Sequence, residues 1–330
     1  MRLFFAPMEG IVDHDVRELM SAVGGIDTCV TEFVRITTTA IPPKVYYRYC
    51  PEIENQCRTR VGVPVRIQLL GGNPIPMALN ASKLARYGGK AIDLNFGCPA
   101  KMVNNNDGGA SLLREPDRIF QIVRAVRQAV PANVSVSAKI RLGFEDRSAY
   151  LDCAHAIHEA GATELTVHAR SKVDGYKPPA YWDYIGRINE AIPIPVIANG
   201  EIWSVEDYWR CLEQSGCHDV MIGRGLLAKP DLGLQIKASI AREDYQPLGW
   251  PEICALLYQF YLNTKDVYPR KHLGNRVKQW LVYLKRTYPE AAQMFDLIKR
   301  QREARDIENI FHQALGQGQA LHLESQVTEV

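Results

Sequence analysis

Eight short apolar runs along the first three quarters of this 330-residue chain constrain its fold most strongly. Each is bounded by glycine, proline or polar residues. Each also reads as a continuous apolar segment, as strands do when both faces of a parallel sheet are buried. Amphipathic stretches of helical period separate most of them, so a strand and helix unit repeats. The runs cover residues 3–8, 28–34, 65–70, 91–95, 134–140, 164–168, 194–199 and 219–223.

Eight such units favour an α/β fold in which the strands close into a (β/α)8 TIM barrel. A doubly wound sheet is less favoured, because the chain contains no G-x-G-x-x-G nucleotide-binding fingerprint. We predict a barrel domain over residues 1–245, a small all-helical domain over 246–315 and a tail without regular structure over 316–330. The helices expected in the second domain cover 251–266, 271–288, 289–302 and 304–315.

The eight cysteines are scattered along the chain and form no C-x-x-C pair. Zinc sites and iron–sulfur clusters therefore lack their usual ligand spacing, and we predict no metal centre. Scattered free cysteines suit a reducing cytoplasm. No apolar stretch reaches the roughly 18 residues that a membrane-spanning helix needs, and the apolar start of the chain is too short for a signal peptide. We expect a soluble, cytoplasmic monomer.

The expected strands end in polar residues, and active sites of barrels form at the carboxyl ends of the strands. Two of these ends carry glycine, at Asn199-Gly200 and at Gly223-Arg224-Gly225. Such turns let backbone N–H groups approach an anion, and Arg224 can donate paired hydrogen bonds to phosphate oxygens. We therefore predict that the last two strand ends bind a phosphorylated ligand.

Four further strand ends carry groups that suit a planar heterocycle, namely Gln68, Asn95, Lys139 and His168. Flavin mononucleotide (FMN) has a pyrimidine edge of alternating donors and acceptors, and its reduced form gains from a nearby cation. A Schiff-base aldolase is the rival, because a lysine at a barrel strand end near a phosphate site is also how such an enzyme is built. An aldolase gives no reason for Cys98, which follows the fourth apolar run.

Cys98 lies between a glycine and a proline just after the fourth apolar run, in the segment Asn95-Phe96-Gly97-Cys98-Pro99. A thiol in this position sits on a fixed and open piece of backbone. A cysteine taken alone is more often a small core residue. The polar residues at the neighbouring strand ends favour a chemical role for this one.

Together these segments resemble the tRNA-dihydrouridine synthases, and the resemblance covers nearly the whole chain. It rests most on the turn around Cys98 and on the spacing from there to the two glycine turns. The opening segment 6–10, residues 33–35 and residues 276–281 most resemble the branch that is associated with uridine 16 of the tRNA D-loop. One departure is Phe96, where many members have a cysteine. That cysteine is not the catalytic one, so the departure puts little in doubt.

The resemblance implies that NADPH reduces bound FMN and leaves, after which a hydride goes to C6 of a uridine flipped out of the tRNA. Cys98 would then be the catalytic acid that gives a proton to C5, a role for which a thiol has a suitable pKa. The flavin-binding residues that the resemblance implies are Pro7, Met8, Glu9, Gln68, Lys139, His168, Asn199, Gly200, Glu201, Gly223 and Arg224. The tRNA-contacting residues that it implies are Arg35, Asn95, Tyr176, Arg276, Lys278 and Tyr283.

Composition supports an RNA partner only locally, because the net charge of the whole chain is +2. Residues 265–286 hold seven Lys and Arg against Asp266 alone. Such a cluster is more often a solvated helix face, but beside a flavin site that must reach a nucleotide it favours phosphate binding. Two alternatives stay open. The first is an FMN-dependent reductase of free pyrimidines or small enones, and the second is an RNA-binding scaffold on an inactive barrel.

Overall fold

The computed structural model describes residues 1–269 and 272–316. The tail predicted over 316–330 lies outside the described residues except for Gly316, and so do Arg270 and Lys271 of the basic region. The described strands are β1 (Leu3–Phe5), β2 (Thr28–Val30), β3 (Val34–Arg35), β4 (Val65–Leu70), β5 (Ala91–Phe96), β6 (Ser135–Arg141), β7 (Glu164–His168), β8 (Val196–Asn199) and β9 (Asp219–Ile222). The described α-helices are α1 (His14–Val23), α2 (Pro43–Tyr49), α3 (Pro74–Arg86), α4 (Lys101–Asn104), α5 (Pro116–Ala129), α6 (Tyr150–Glu159), α7 (Trp182–Ala191), α8 (Val205–Ser215), α9 (Arg224–Ala228), α10 (Leu232–Ala241), α11 (Trp250–Lys265), α12 (Asn275–Leu284), α13 (Pro289–Ile298) and α14 (Ala304–Leu315).

The strands form one parallel sheet that closes on itself. β1 pairs with both β2 and β9, and β2 pairs in turn with β4, so the two ends of the sheet meet. From β4 to β9 each strand pairs with the next one along the chain. Eight strands thus form the ring, with β3 as a short addition beside β4. This confirms the predicted (β/α)8 barrel, and the regular elements described after it along the chain are helices.

The second strand of the ring is interrupted, although the sequence pattern predicts a single strand there. Val30 lies opposite Arg66 and Val34 lies opposite Leu69, so four steps along β2 and β3 match three steps along β4. The extra residue is a bulge, and a bulge bends its strand and re-aims the side chains that follow. Arg35, the last residue of β3, therefore reaches the carboxyl edge of the barrel from a bent strand.

The helices that follow the barrel along the chain begin close to their predicted positions, with one exception. The helix predicted over 271–288 is α12, which begins only after Gly274 and ends at Leu284. Gly274 has a φ of 73°, a left-handed conformation that does not occur inside a right-handed helix. The connection after β3 contains α2 and a short 3-10 turn, Pro51–Asn55.

The chain divides into two compact units. The first comprises residues 1–17 and 26–223 and contains the described strands, and the second comprises residues 18–25 and those from 224 onward. Within the second unit, the indole of Trp280 on α12 donates a hydrogen bond to the carbonyl of Leu227 at 3.0 Å and packs edge-on against Phe260. The domain limits at 245 and 315 stay predictions. Over the two described ranges, no helix is both long enough and apolar enough to cross a membrane.

The amino ends of the strands carry a network of ion pairs. Arg2 donates from Nε to Asp219 Oδ2 at 2.8 Å and from Nη1 to Glu164, and Arg66 forms a second ion pair with Glu164. Both guanidinium groups also lie over the Phe4 ring, with Cζ 5.3 and 5.0 Å from its centroid. These two cations thus face carboxylates, and the network joins β1, β4, β7 and β9.

The buried side chains of the barrel differ in polarity between two groups of strands. An apolar cluster of buried side chains comes from β1, β2, β8 and β9 and comprises Phe4, Ala6, Val30, Ile197 and Met221. On β4, β5 and β6 the buried side chains include Gln68, Asp93, Asn95 and Ser137. Buried polar groups need hydrogen-bond partners, so this part of the interior is where a site is expected.

Candidate active site at the carboxyl ends of the strands

The backbone around Cys98 is held from both sides. Asn95 Oδ1 accepts hydrogen bonds from the backbone N–H groups of Gly97 at 2.9 Å and Cys98 at 3.0 Å. The Cys98 carbonyl accepts one from the N–H of Ala110 at 3.0 Å. The Cys98 side chain packs in a cluster with Phe33, Leu70 and Val103 and retains 9% exposure. The thiol therefore has a fixed place just below the surface of the carboxyl edge.

The surroundings of Cys98 keep its thiol protonated. Burial raises the pKa of Cys98, and the carboxylate of Glu9 acts in the same direction. A hydrogen bond from the backbone of Ala100 and the charges of Arg141 and Arg35 oppose this, yet the pKa still lies above the usual value. A thiol that keeps its proton at neutral pH is suited to donate that proton and is a poor nucleophile.

Gln68 and Asn95, which were predicted as separate strand-end residues that line a heterocycle, are hydrogen-bonded to each other. Gln68 lies at the centre of β4 and is fully buried, and its Oε1 accepts a hydrogen bond from Asn95 Nδ2 at 2.7 Å. Asn95 therefore uses both ends of its amide within the protein. In this structure its contacts are with the Cys98 turn and with Gln68, and its predicted contact with tRNA stays a prediction.

Lys139 on β6 is a partly buried cation that faces an amide. Its Nζ donates to Asn199 Oδ1 at 2.8 Å, and Asn199 Nδ2 donates to the carbonyl of Met221 at 2.7 Å. Burial lowers the pKa of Lys139 to about 7, and the nearby charge of Arg141 adds to the effect. The charge of Asp93 acts in the opposite direction. An anionic group bound beside Lys139 would restore its full charge, as a cofactor with a developing negative charge would require.

The two glycine turns pass close to neighbouring side chains. Gly200 has a φ of 119°, and a Cβ at this position would lie 3.4 Å from Nε2 of His168. A Cβ on Gly223 would lie 3.2 Å from Sδ of Met8. Among the residues that the structure describes, neither glycine donates a backbone hydrogen bond. Both turns thus offer N–H groups where a side chain would crowd the neighbours, which fits the phosphate of FMN.

The side chain of Glu201 is committed to the protein. Arg170, which is fully buried, donates to one of its carboxylate oxygens, and Trp203 Nε1 donates to the other at 3.0 Å. Trp182 Nε1 holds the same turn by donating to the carbonyl of Gly200 at 2.9 Å. Glu201 itself has a left-handed φ of 61°. Its carboxylate is thus engaged within the protein, and its predicted role in cofactor binding stays a prediction.

The Tyr176 ring lies between two other site residues, His168 and Arg141, at the edge of the site. The rings of His168 and Tyr176 meet edge-on with 6.0 Å between centroids, and Cζ of Arg141 lies 5.2 Å from the Tyr176 ring. Arg141 also donates from Nε to the carbonyl of Gly97 at 2.9 Å. Tyr176 is 53% exposed, so it can stack on an incoming base. The sequence analysis did not select Arg141 as a site residue, although it ends the strand that carries Lys139.

The remaining predicted residues of the barrel lie at its rim. Pro7 and Met8 follow β1 and are half-buried, whereas Glu9 is exposed. Arg35 at the end of β3 is half-buried. Arg224 is the first residue of α9 and belongs to the second unit.

The predicted tRNA contacts of the second unit lie on α12. Arg276 donates to Gln279 Oε1 at 2.8 Å and lies over the Phe260 ring at 5.6 Å. Lys278 Nζ donates to the carbonyl of Gln301 at 2.6 Å, and burial lowers its pKa. Residues two positions apart on an α-helix are separated by roughly 200° around its axis, so Arg276 and Lys278 project from different sides. Tyr283 is seven residues from Arg276 and lies on the same side as it.

The described residues contain no group of three or more His, Cys, Asp and Glu side chains that could hold a metal ion. The polar groups of the site are instead amides, two cations and an imidazole. These are groups that bind a heterocycle and an anion.

Comparisons with known proteins match this geometry. A family model described as dihydrouridine synthase (Dus) matches residues 4–316. A tRNA-dihydrouridine(16) synthase of Pseudomonas putida is 47% identical over 310 residues, covering 94% of this chain and 96% of the relative. A protein of the same name from Ralstonia nicotianae is 46% identical over 314 residues, which are 95% of this chain and 96% of the relative.

Two solved structures share the fold. Histamine dehydrogenase from Rhizobium sp. 4-9 has a TM-score of 0.57 at 12% identity, over 72% of this chain and 46% of that one. A 2-naphthoyl-CoA reductase complex has a TM-score of 0.55 at 10% identity, over 73% of this chain and 50% of that one. The chain thus spans about half the length of these two proteins, and the likeness concerns the barrel fold alone.

Proposed function

This chain belongs to the dihydrouridine synthase family, and from that premise we propose that it reduces the C5=C6 bond of a uridine in tRNA. We propose uridine 16 of the D-loop as the target, because the relatives that cover nearly the whole chain carry that position in their name. We further propose FMN as the bound cofactor and NADPH as the electron donor. The protein is expected to act as a monomer in the cytoplasm.

The observation that carries this proposal is the position of Cys98, whose thiol is buried in a fixed turn next to amides that suit a heterocycle. Addition of hydride to C6 of a uracil ring leaves negative charge that extends to the C4 carbonyl, and a proton must reach C5. Burial keeps the pKa of Cys98 above its usual value, so the thiol holds the proton that this step consumes. Cys98 becomes a thiolate when it gives up the proton and regains one from water before the next turnover.

The described residues fit FMN. The N–H groups of Gly200 and Gly223 suit its phosphate, while Gln68, Lys139 and His168 suit its ring. When bound, this cofactor supplies the hydride. We expect the protonated ammonium of Lys139 to stabilise the negative charge that develops on the pyrimidine edge of the flavin when the flavin is reduced.

The described residues also provide surfaces for RNA. Tyr176 offers an exposed ring at the mouth of the site, next to His168. In the second unit, Arg276 and Tyr283 share one side of α12 and are the residues that we propose to contact phosphate and ribose. Lys278 already donates to a backbone carbonyl, so we expect its contribution to be smaller.

The proposal is tested by mapping dihydrouridine in tRNA. Purified protein with added FMN and NADPH should convert uridine 16 of unmodified tRNA, and tRNA from cells that lack the gene should have uridine at this position. Free uridine serves as the competing substrate. If free pyrimidines are reduced as fast as tRNA, the small-molecule reductase becomes the better assignment, and if position 16 stays modified in the deletion strain, the assigned position is wrong.

A further inference from the structure

A continuous chain of buried hydrogen bonds runs across three strands to the turn that carries Cys98. Ser137 Oγ donates to Asp93 Oδ1 at 2.7 Å, and Gln68 Nε2 donates to Asp93 Oδ2 at 2.7 Å. Gln68 then accepts from Asn95, whose own oxygen accepts from the turn. The register explains the chain, because Gln68 lies opposite Asp93 on β4 and β5 and Asp93 lies opposite Ser137 on β5 and β6.

The carboxylate determines the direction of every bond in this chain. Both oxygens of Asp93 accept, Oδ1 from Ser137 and Oδ2 from Gln68, so Gln68 turns its NH2 group toward Asp93 and its oxygen toward Asn95. Asn95 must then turn its NH2 group toward Gln68, which leaves its oxygen for the N–H groups of Gly97 and Cys98. Reversing either amide would place two oxygens or two NH2 groups against each other.

A buried charge at position 93 is costly for the fold. Asp93 is 2% exposed, and burial raises its pKa although the hydrogen bonds from Gln68 and Ser137 and the charges of Arg66 and Lys139 oppose the change. A neutral residue of the same size would avoid this cost. The charge is therefore expected to do something that a neutral residue would not, and the direction of the bonds is what only an obligate acceptor enforces.

We propose that Asp93 is a positioning residue, which sets the orientation of the Gln68 amide and so determines which donor and acceptor the barrel presents to the heterocycle. Through Asn95 the same carboxylate holds the turn of Cys98. The inference rests on the proposed function for the identity of the heterocycle, and the direction of the bonds rests on the structure alone.

Exchanging the two residues on either side of Gln68, Asp93 and Asn95, tests this proposal. In N95D, the new carboxylate accepts from the Cys98 turn but faces the oxygen of Gln68, so the melting temperature should fall by several degrees. In D93N, the amide can accept from Gln68 and donate to Ser137, so the direction is kept and the change in stability should be small.

The double variant D93N/N95D should reverse the chain while satisfying every group in it. Asn at position 93 then donates to Gln68 Oε1, and Gln68 donates to the carboxylate at position 95. The double variant should regain much of the stability lost in N95D. Its affinity for FMN should nevertheless be at least about tenfold weaker than that of the wild type, because Gln68 now presents the opposite polarity. Thermal unfolding of the flavin-free proteins and quenching of FMN fluorescence measure the two effects.

Asn80 provides the matched control. Its amide is also fully buried and also donates from Nδ2, to the carbonyls of Thr39 and Pro76, but it has no bond to the Asp93 chain. D93N should therefore not rescue N80D. The proposal is overturned if D93N fails to rescue N95D, or if the double variant binds FMN as tightly as the wild type. If the wild type binds no FMN, the proposed function fails. The rescue of N95D stability by D93N then still tests the direction of the hydrogen bonds.

Discussion

Lys139 and Arg141, which line the site at the carboxyl ends of the barrel, have different partners from the cations at its amino ends, although Arg170 at the carboxyl ends does pair with the carboxylate of Glu201. At the amino ends, Arg2 and Arg66 meet the carboxylates of Glu164 and Asp219. At the carboxyl ends, Lys139 meets an amide oxygen and Arg141 meets carbonyl oxygens. Both ends are built from the same strands, so the difference does not come from the fold.

The comparison separates charge that holds the barrel together from charge that is kept for a ligand. A cation paired with a carboxylate is neutralised before anything binds, whereas Lys139 and Arg141 face amide and carbonyl oxygens that carry no full negative charge. Burial lowers the pKa of both groups, so a bound anion would stabilise their charged forms. The carboxyl end is therefore prepared for an anion and the amino end is not. Variants at each end should separate the two properties.

The largest effect is expected at the carboxyl end, from Cys98→Ala. If the thiol donates the proton to C5, turnover of tRNA should fall by roughly 10²- to 10⁴-fold, while reduction of bound flavin by NADPH should stay close to the wild-type rate. Single-turnover absorbance at the flavin band measures the two half-reactions separately. Equal losses in both, or loss of the flavin itself, would show that Cys98 is structural.

At the amino end, Glu164→Gln should reduce stability without altering catalysis. The substitution removes the charge that Arg2 and Arg66 share, and because Arg2 is 41% exposed we expect a loss of about 1–2 kcal/mol in the free energy of unfolding. Urea denaturation measures the loss. Glu145→Gln is the matched control, because Glu145 pairs with Arg114 at the surface with both side chains at least half exposed, and its loss should be near zero. A change in turnover per folded Glu164→Gln molecule would contradict the separation of the two ends.

The third effect is a change in the pH dependence of stability, measured on flavin-free protein with Lys139→Met. The pKa of Lys139 is about 7 in the folded protein and higher in the unfolded chain, so the unfolded state binds more protons between these values. Wild-type stability should therefore rise with pH across this window, and the variant should lack that contribution. Urea unfolding at about pH 7 and about pH 10 should show the variant gaining on the wild type at the lower pH. An identical slope in both proteins would mean that Lys139 is not held in a depressed state.

The ring of strands was predictable because parallel strands buried on both faces leave continuous apolar runs, and the polar residues at their carboxyl ends were visible for the same reason. The bulge between Val30 and Val34 was not, since it depends on how β4 pairs with its neighbour. Asp93 reads in the sequence as one charged residue inside an apolar run. Its importance appears only when the register brings it beside Gln68 and Ser137.

The basic region shows the same limit from the other direction. A count of charges along the sequence places Arg276 and Lys278 in one basic cluster, but they project from different sides of the helix. The ammonium of Lys278 also donates a hydrogen bond to the carbonyl of Gln301. Which charges on a helix are available to a partner depends on what packs against each side. That information lies in contacts between segments distant along the chain.

The burial of Cys98 has a consequence for the lifetime of the protein. Peroxide and other oxidants attack the thiolate far faster than the thiol, and enzymes that use cysteine as a nucleophile accept this hazard because they must keep it ionised. An acid has the opposite requirement, since it is useful only while protonated. Cys98 is only 9% exposed, and the burial that raises its pKa therefore also shields it from oxidation. Each turnover makes the sulfur vulnerable only between donating its proton and recovering one.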